Sequence, residues 1–121
     1  MSKVNENRPG YKNTKVGWIP EEWKVKQLDD IGKWKAGGTP SKLNESYWQN
    51  GSIPWVSSQD MKSLEIRKTK YSITKQALQE SSANLIPLNS VLIVMRSGIL
   101  RHHLPVATNP IPVSINQDIK A

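Results

Sequence analysis

Residues 87–98, Pro87-Leu88-Asn89-Ser90-Val91-Leu92-Ile93-Val94-Met95-Arg96-Ser97-Gly98, decide the fold. Val91 to Met95 is the longest apolar run of the chain and has the length of a strand, not of a helix or a membrane span. Unbroken apolarity with no polar alternation indicates a strand buried on both faces, and therefore a central one. Pro87-Leu88-Asn89-Ser90 turns the chain into it, and Arg96-Ser97-Gly98 leaves it abruptly. Beyond it, Ile111, Val113 and Ile115 alternate as in a later strand, which Pro110 and Pro112 push toward an edge.

Upstream of the central strand, Ile66 to Ile73 (IRKTKYSI) reads as a strand with Arg67, Thr69, Tyr71 and Ile73 on one face. One helix follows, near 74 to 83: Thr74 is placed as its N-cap, and Ile73 and Leu78 as a hydrophobic staple. Asn50-Gly51 signals a turn into a short strand, Ile53-Pro54-Trp55-Val56, which Ser57-Ser58-Gln59-Asp60 leaves as a polar loop. Gly37-Gly38-Thr39-Pro40-Ser41 is the main breaker cluster, because glycine permits positive φ and proline fixes the next φ, so a structured loop is expected. Trp18, Ile19, Trp23, Val25 and Leu28 gather apolar surface around Pro20, with Trp23 and Val25 alternating as on a half-exposed strand, and Asp29-Asp30 opens a turn or short helical segment. Residues 1–15 are polar and basic with little to bury, and read as a flexible basic arm ahead of one domain over 16–121. The fold class that results is α+β: a mostly antiparallel twisted sheet, one clear short helix and long loops.

At 121 residues the chain accommodates one domain with one modest core, in keeping with 36% hydrophobic residues. Seventeen Lys and Arg against ten Asp and Glu give a net charge of +7, which draws the chain toward polyanions. The absence of cysteine excludes disulfides, a thiolate zinc site and a cysteine nucleophile, and a cytoplasmic address fits.

Catalytic signals are weak. Glu22-Trp23-Lys24 has the E-x-K spacing of metal-dependent nucleases, but no Pro-Asp pair stands upstream to complete a magnesium-binding cluster. Asn109-Pro110-Ile111-Pro112 lacks the adjacent prolines and the aromatic of an amino-methyltransferase motif, and reads as a proline-stiffened loop. His102 and His103 would diverge on a strand, without a third ligand nearby. No cofactor is expected. What survives is a set of basic and polar loops beside buried strands, with the residue types that read grooves: Arg forks onto guanine, Gln pairs with adenine, Lys neutralises phosphate. The competing reading is a solvated charged face. The five tryptophans sit among apolar neighbours and are expected in the core more than on a stacking platform.

The order of these pieces resembles a known family. Gly17-Trp18-Ile19-Pro20-Glu21-Glu22-Trp23, Leu28-Asp29-Asp30-Ile31, Gly37-Gly38-Thr39-Pro40-Ser41, Tyr47-Trp48 and Gly51-Ser52-Ile53-Pro54-Trp55 look like the opening of a target-recognition domain in the specificity subunit of Type I restriction enzymes. The likeness continues through Ile73-Thr74, Ala77-Leu78, Ile86-Pro87, Ser90-Val91-Leu92, Arg96-Ser97-Gly98-Ile99 and Asn116-Gln117-Asp118. Each piece is weak alone, and the ordered set is specific.

The resemblance implies a non-catalytic component that binds double-stranded DNA in a sequence-specific way. It would direct methylation and cleavage by partner modification (methyltransferase) and restriction subunits. Such domains continue past Asn116-Gln117-Asp118-Ile119-Lys120-Ala121 into more sheet and a long helix that holds the modification subunits, so the chain is expected to be a truncated N-terminal part. The residues expected to contact DNA are Lys42, Ser57, Ser58, Gln59, Arg67, Lys68, Lys70, Arg96 and Arg101, with Gly37, Gly38, Thr39 and Pro40 shaping a loop. Arg96 has a structural alternative, a tie to a backbone carbonyl or to Asp118. Two rivals stand beside this reading: an interaction fragment of a split subunit that no longer binds DNA, and a small metal-dependent nuclease using Glu22 and Lys24.

Overall fold

The computed structural model describes residues 9–27 and 30–121, and divides the chain into two units between Lys33 and Trp34. Of the arm expected over 1–15, residues 1–8 lie outside the described residues, as do Leu28 of the expected apolar group around Pro20 and Asp29 of the expected Asp29-Asp30 turn.

In the first unit, Tyr11–Thr14 (β1) pairs antiparallel with Gly17–Pro20 (β2), so strand structure begins within the stretch read as an arm. The connection closes because Gly17 adopts φ +107 and the Thr14 hydroxyl donates to the Gly17 carbonyl at 2.8 Å. Trp23 and Val25 do not continue this ribbon as a strand. The Glu21 N–H goes to the Gly10 carbonyl at 2.9 Å and the Trp23 N–H to the Pro20 carbonyl at 3.0 Å, which turns the chain away and leaves Trp23 exposed.

The second unit runs β3 (Ile53–Val56), β4 (Tyr71–Ile73), α1 (Lys75–Glu80), β5 (Val91–Val94), β6 (Val106–Thr108), β7 (Ser114–Ile115) and β8 (Ile119–Lys120). Its strands form two three-stranded sheets, ordered β4-β3-β7 and β6-β5-β8. All pairs are antiparallel except β3 with β7. With one short α-helix among the described residues and long loops, the class is α+β as the pattern predicts. The chain passes from one sheet to the other between β7 and β8, where the Asp118 N–H bonds to the Asn116 side chain at 3.0 Å.

Strand β5 is central, as its apolar run demands: Leu92 and Val94 enter one hydrophobic cluster, Ile93 is buried away from it, and only Val91 and Met95 at the ends are exposed. That cluster is aliphatic, joining Leu92 and Val94 to Val56, Ile66, Ile86, Val113, Ile115 and Ile119. A second cluster under β4-β3-β7 is aromatic-rich, with Tyr47, Trp55, Ile73, Ala77 and Ala83. Helix α1 starts where its cap predicts, with the Thr74 hydroxyl accepting from the Ala77 N–H at 3.3 Å, while Ile73 and Leu78 both reach the aromatic-rich cluster. It ends at Glu80, short of residue 83, where Ser81 turns extended with its N–H and its hydroxyl both donating to the Ala77 carbonyl, at 3.0 and 2.6 Å.

The strand expected over 66–73 is real only at Tyr71–Ile73. Residues 64 to 66 run beside β6 through reciprocal bonds with Thr108, each 2.8 Å long, and the chain then crosses to β3. In the crossing the Lys70 N–H is taken by the Asp60 carboxylate at 3.0 Å and not by a neighbouring strand. The tryptophans also depart from expectation. Trp55 is buried, Trp18, Trp34 and Trp48 are half-buried, and Trp23 is exposed.

Candidate nucleic-acid interface

The polar loop after β3 is held by its own sequence. Ser57 and Asp60 stand at capping-box spacing, and the Asp60 carboxylate accepts from the Ser57 N–H at 2.9 Å and the Ser57 hydroxyl at 3.2 Å. The same carboxylate takes the Lys70 N–H, so Asp60 ties the loop after β3 to the segment entering β4. Ser57 is therefore buried with its hydroxyl engaged, and the side chains left to face outward are Ser58 and Gln59.

Ser58 and Gln59 line a shallow cleft of about 400 Å³ together with Met61, Lys62, Ile99, His103 and Pro105. The far wall is the loop that leaves β5, where a 3-10 turn over Gly98–Arg101 is capped by the Ser97 hydroxyl, which accepts from the Ile99 N–H at 3.3 Å. The exit of β3 and the exit of β5 thus converge on one rim. Arg101 is exposed on the turn, in its last, C-terminal position.

Arg96 follows β5 directly and lies 3.3 Å from the Asp118 carboxylate, with a second bond of 3.4 Å to the Gln117 carbonyl. The Asp118 carbonyl accepts from the Met95 and Arg96 N–H groups at 2.7 and 3.2 Å. Arg96 thus takes the structural tie to Asp118 while its side chain remains exposed. On the other side of Asp60, residues 63–68 line a broad surface depression of about 640 Å³ that carries Arg67 and Lys68. Arg67 meets Glu65 at 3.6 Å with both side chains exposed, a pair too solvated to fix the guanidinium.

Lys42 and Lys70 lie elsewhere, by an aromatic cleft: Lys42 lines it, and the Lys70 ammonium sits 5.5 Å from the centre of the Tyr71 ring. The Gly37–Ser41 strap beside it is pinned by two indoles. Trp55 donates to the Gly38 carbonyl at 3.1 Å and Trp48 to the Ser41 carbonyl at 3.0 Å. Neither Gly37 nor Gly38 has positive φ. They are needed because a Cβ on Gly37 would collide with the Ile115 and Asn116 carbonyls, and one on Gly38 with Ser82.

The structure thus joins Ser58 and Gln59 to the loop carrying Arg101, joins Arg67 to Lys68, and keeps Lys42 at a separate cleft, with the Lys70 ammonium over the Tyr71 ring that helps line it. Lys62 and His103, which complete the first group, were not among the residues expected to contact DNA, although His103 closes the basic 96–103 stretch; the tie made by Asp60 was not foreseen, although its Ser-x-x-Asp spacing signals it. Asn109 is fully engaged: its amide donates to the Pro87 and Ile111 carbonyls at 2.9 and 3.0 Å and accepts from the Ser90 N–H at 2.9 Å. The Asn109–Pro112 stretch is a loop brace. Glu22 and Lys24 are exposed, and among the described residues no three His, Cys, Asp or Glu side chains group as a metal site. Among those residues, too, no helix is long and apolar enough to cross a membrane.

Comparison with known proteins matches residues 20–121 to the model of the Type I restriction modification DNA specificity domain. The specificity subunit of the Type I restriction enzyme EcoR124I/EcoR124II of Escherichia coli is 49% identical over 100 residues, covering 83% of this chain and 24% of that subunit. The MjaIX specificity subunit of Methanocaldococcus jannaschii is 35% identical over 104 residues, covering 84% and 23%. The EcoprrI specificity subunit of Escherichia coli is 30% identical over 110 residues, covering 86% and 24%. The chain spans about a quarter of the length of these curated relatives.

Proposed function

Because the chain belongs to the Type I restriction modification DNA specificity domain family, we propose that it binds double-stranded DNA in a sequence-specific way and catalyses nothing itself. In this reading it directs methylation and cleavage by modification and restriction subunits that carry the active sites. The observation that carries the proposal is the convergence of Ser58 and Gln59 with the 97–103 loop at one rim, flanked across Asp60 by Arg67 and Lys68. Gln59 and Arg101 are the side chains suited to base edges, because amide and guanidinium each offer paired hydrogen-bonding groups. Arg67, Lys68, Lys70 and Lys42 neutralise phosphates, which fix register without reading sequence. Ser57 acts from beneath by holding the turn that presents Ser58 and Gln59. Arg96 holds the exit of β5 through Asp118 and offers its exposed guanidinium edge to DNA.

Titration of a fluorescent duplex at several salt concentrations tests the proposal. Log K should fall linearly with log salt, by ~0.9 for each phosphate neutralised, and Lys68→Ala should reduce that slope by about one phosphate. Absence of binding at low salt, or a flat salt response, breaks it and favours an interaction fragment that does not hold DNA.

A further inference from the structure

From the aromatic cleft beside the Gly37–Ser41 strap we infer a second binding site, one that takes a single unstacked guanine with its phosphate. The inference rests on the DNA-binding reading only for the source of that guanine. The cleft holds about 290 Å³ and is lined by Lys42, Glu45, Trp48, Gln49, Trp55 and Tyr71. Trp48 stands at its centre, edge-on to Trp55 with ring centres 5.2 Å apart and to Tyr71 at 6.1 Å, with interplanar angles of 86° and 80°. Rings set at right angles make a corner in which a planar ligand stacks on one face and abuts another.

Both indole N–H groups are consumed by the Ser41 and Gly38 carbonyls, so the tryptophans offer π surface and no hydrogen bond. The polar choice falls to Glu45, Gln49 and Lys42, and neither Glu45 nor Lys42 takes part in an ion pair among the described residues. Carboxylate and aromatic walls alone would suit a cation. Lys42 in the lining and the Lys70 ammonium over Tyr71 oppose one and supply instead the charge that a phosphate needs. Among the bases, guanine alone presents two adjacent donors, N1–H and the 2-amino group, to the two oxygens of a carboxylate. The site therefore pairs Glu45 with the guanine edge, Trp48 or Tyr71 with its ring, and Lys42 and Lys70 with its phosphate. Guanine in this setting comes either from DNA, as a base turned out of the stack, or from a free nucleotide.

The test uses the whole chain labelled with 15N, in which each tryptophan reports through its indole N–H resonance. Titration with dGMP should move the Trp48 and Trp55 resonances, and dIMP, which lacks only the 2-amino group, should bind about fivefold or more weakly, the lower end of what one lost base-edge contact costs. Glu45→Gln, at an exposed position, should close that gap. Trp48→Phe keeps a ring in place and serves to assign the resonances. No movement at millimolar nucleotide, or equal binding of dGMP, dIMP, dAMP and dCMP, overturns the inference, whatever the duplex titration gives. A duplex with one bulged guanine, compared with one bulged thymine, separates the sources: preference for the bulged guanine assigns the site to DNA, and dGMP binding without that preference assigns it to a free guanine nucleotide.

Discussion

The two hydrophobic clusters of the 34–121 unit do different work with different residues. Beneath β5 the side chains are Val, Ile, Leu and Met with a single Ala, and they offer nothing but volume. Under β3 and β4, Tyr47 and Trp55 are buried and Trp48 packs against them, and each carries a polar group that reaches out of the cluster. Trp55 and Trp48 hold the Gly37–Ser41 strap, and Tyr47 donates to Glu80 on α1 at 3.1 Å. An aliphatic core fixes where strands lie, whereas an aromatic core with polar handles also fixes where loops lie. The difference explains why the aromatic cleft adjoins the second cluster, while the loops that carry Gln59 and Arg101 leave strands that feed the first.

The largest effect should come from the aliphatic side. Leu92→Ala removes a fully buried side chain from the central strand and should cost about 2–5 kcal/mol in denaturant unfolding, enough to unfold a small domain. A cost within the range of a surface substitution, about 0.5 kcal/mol, would mean that β5 is not the keystone its burial indicates. A smaller and more local loss should follow Trp55→Phe, which keeps an aromatic ring but abandons the Gly38 carbonyl, at about 1–3 kcal/mol. Faster amide exchange over residues 37–41, with the rest of the unit unchanged, is the outcome that sharpens the contrast. Uniform loosening would erase it.

The smallest effect lies in pH. Burial first, and then the bond to Glu80, raise the Tyr47 phenol above its ordinary value of 10.0. A raised folded-state value favours the protonated form, so this contribution is complete below the ordinary value and is lost as pH rises through the folded one. Tyr47→Phe should therefore flatten the alkaline fall in melting temperature relative to the unaltered chain. An identical alkaline slope in both would show that the phenol ionises as freely as in water.

Legibility in the sequence follows the range of the forces involved. The Val91–Met95 run announced β5 because burial on both faces leaves no room for polar alternation, and Thr74 announced α1 because a cap acts within three residues. The 66–70 segment was unreadable because its fate depends on Asp60, which sits ten residues before Lys70 and takes its N–H. Gly37 and Gly38 were marked as special for the wrong physical reason: crowding by Ile115, Asn116 and Ser82 excludes a side chain there, and no positive φ is required. Trp23 read as core because apolar neighbours in sequence do not become neighbours in space once the chain turns at Pro20. Of the candidate interface, the basic and polar loops were visible as composition. That Gln59 meets the loop of His103, while Lys42 goes to another cleft and Lys70 to the Tyr71 ring beside it, depends on sheet pairing that no local pattern encodes.

Backbone amide exchange of the whole chain with and without a duplex containing its target tests the central claim, that loops at the ends of β3 and β5 carry DNA. The account predicts slowed exchange over residues 58–62, 67–70 and 97–103, with the β1–β2 hairpin at 11–20 unchanged. Slowing confined to the hairpin, or binding with no change in the three loops, would contradict it.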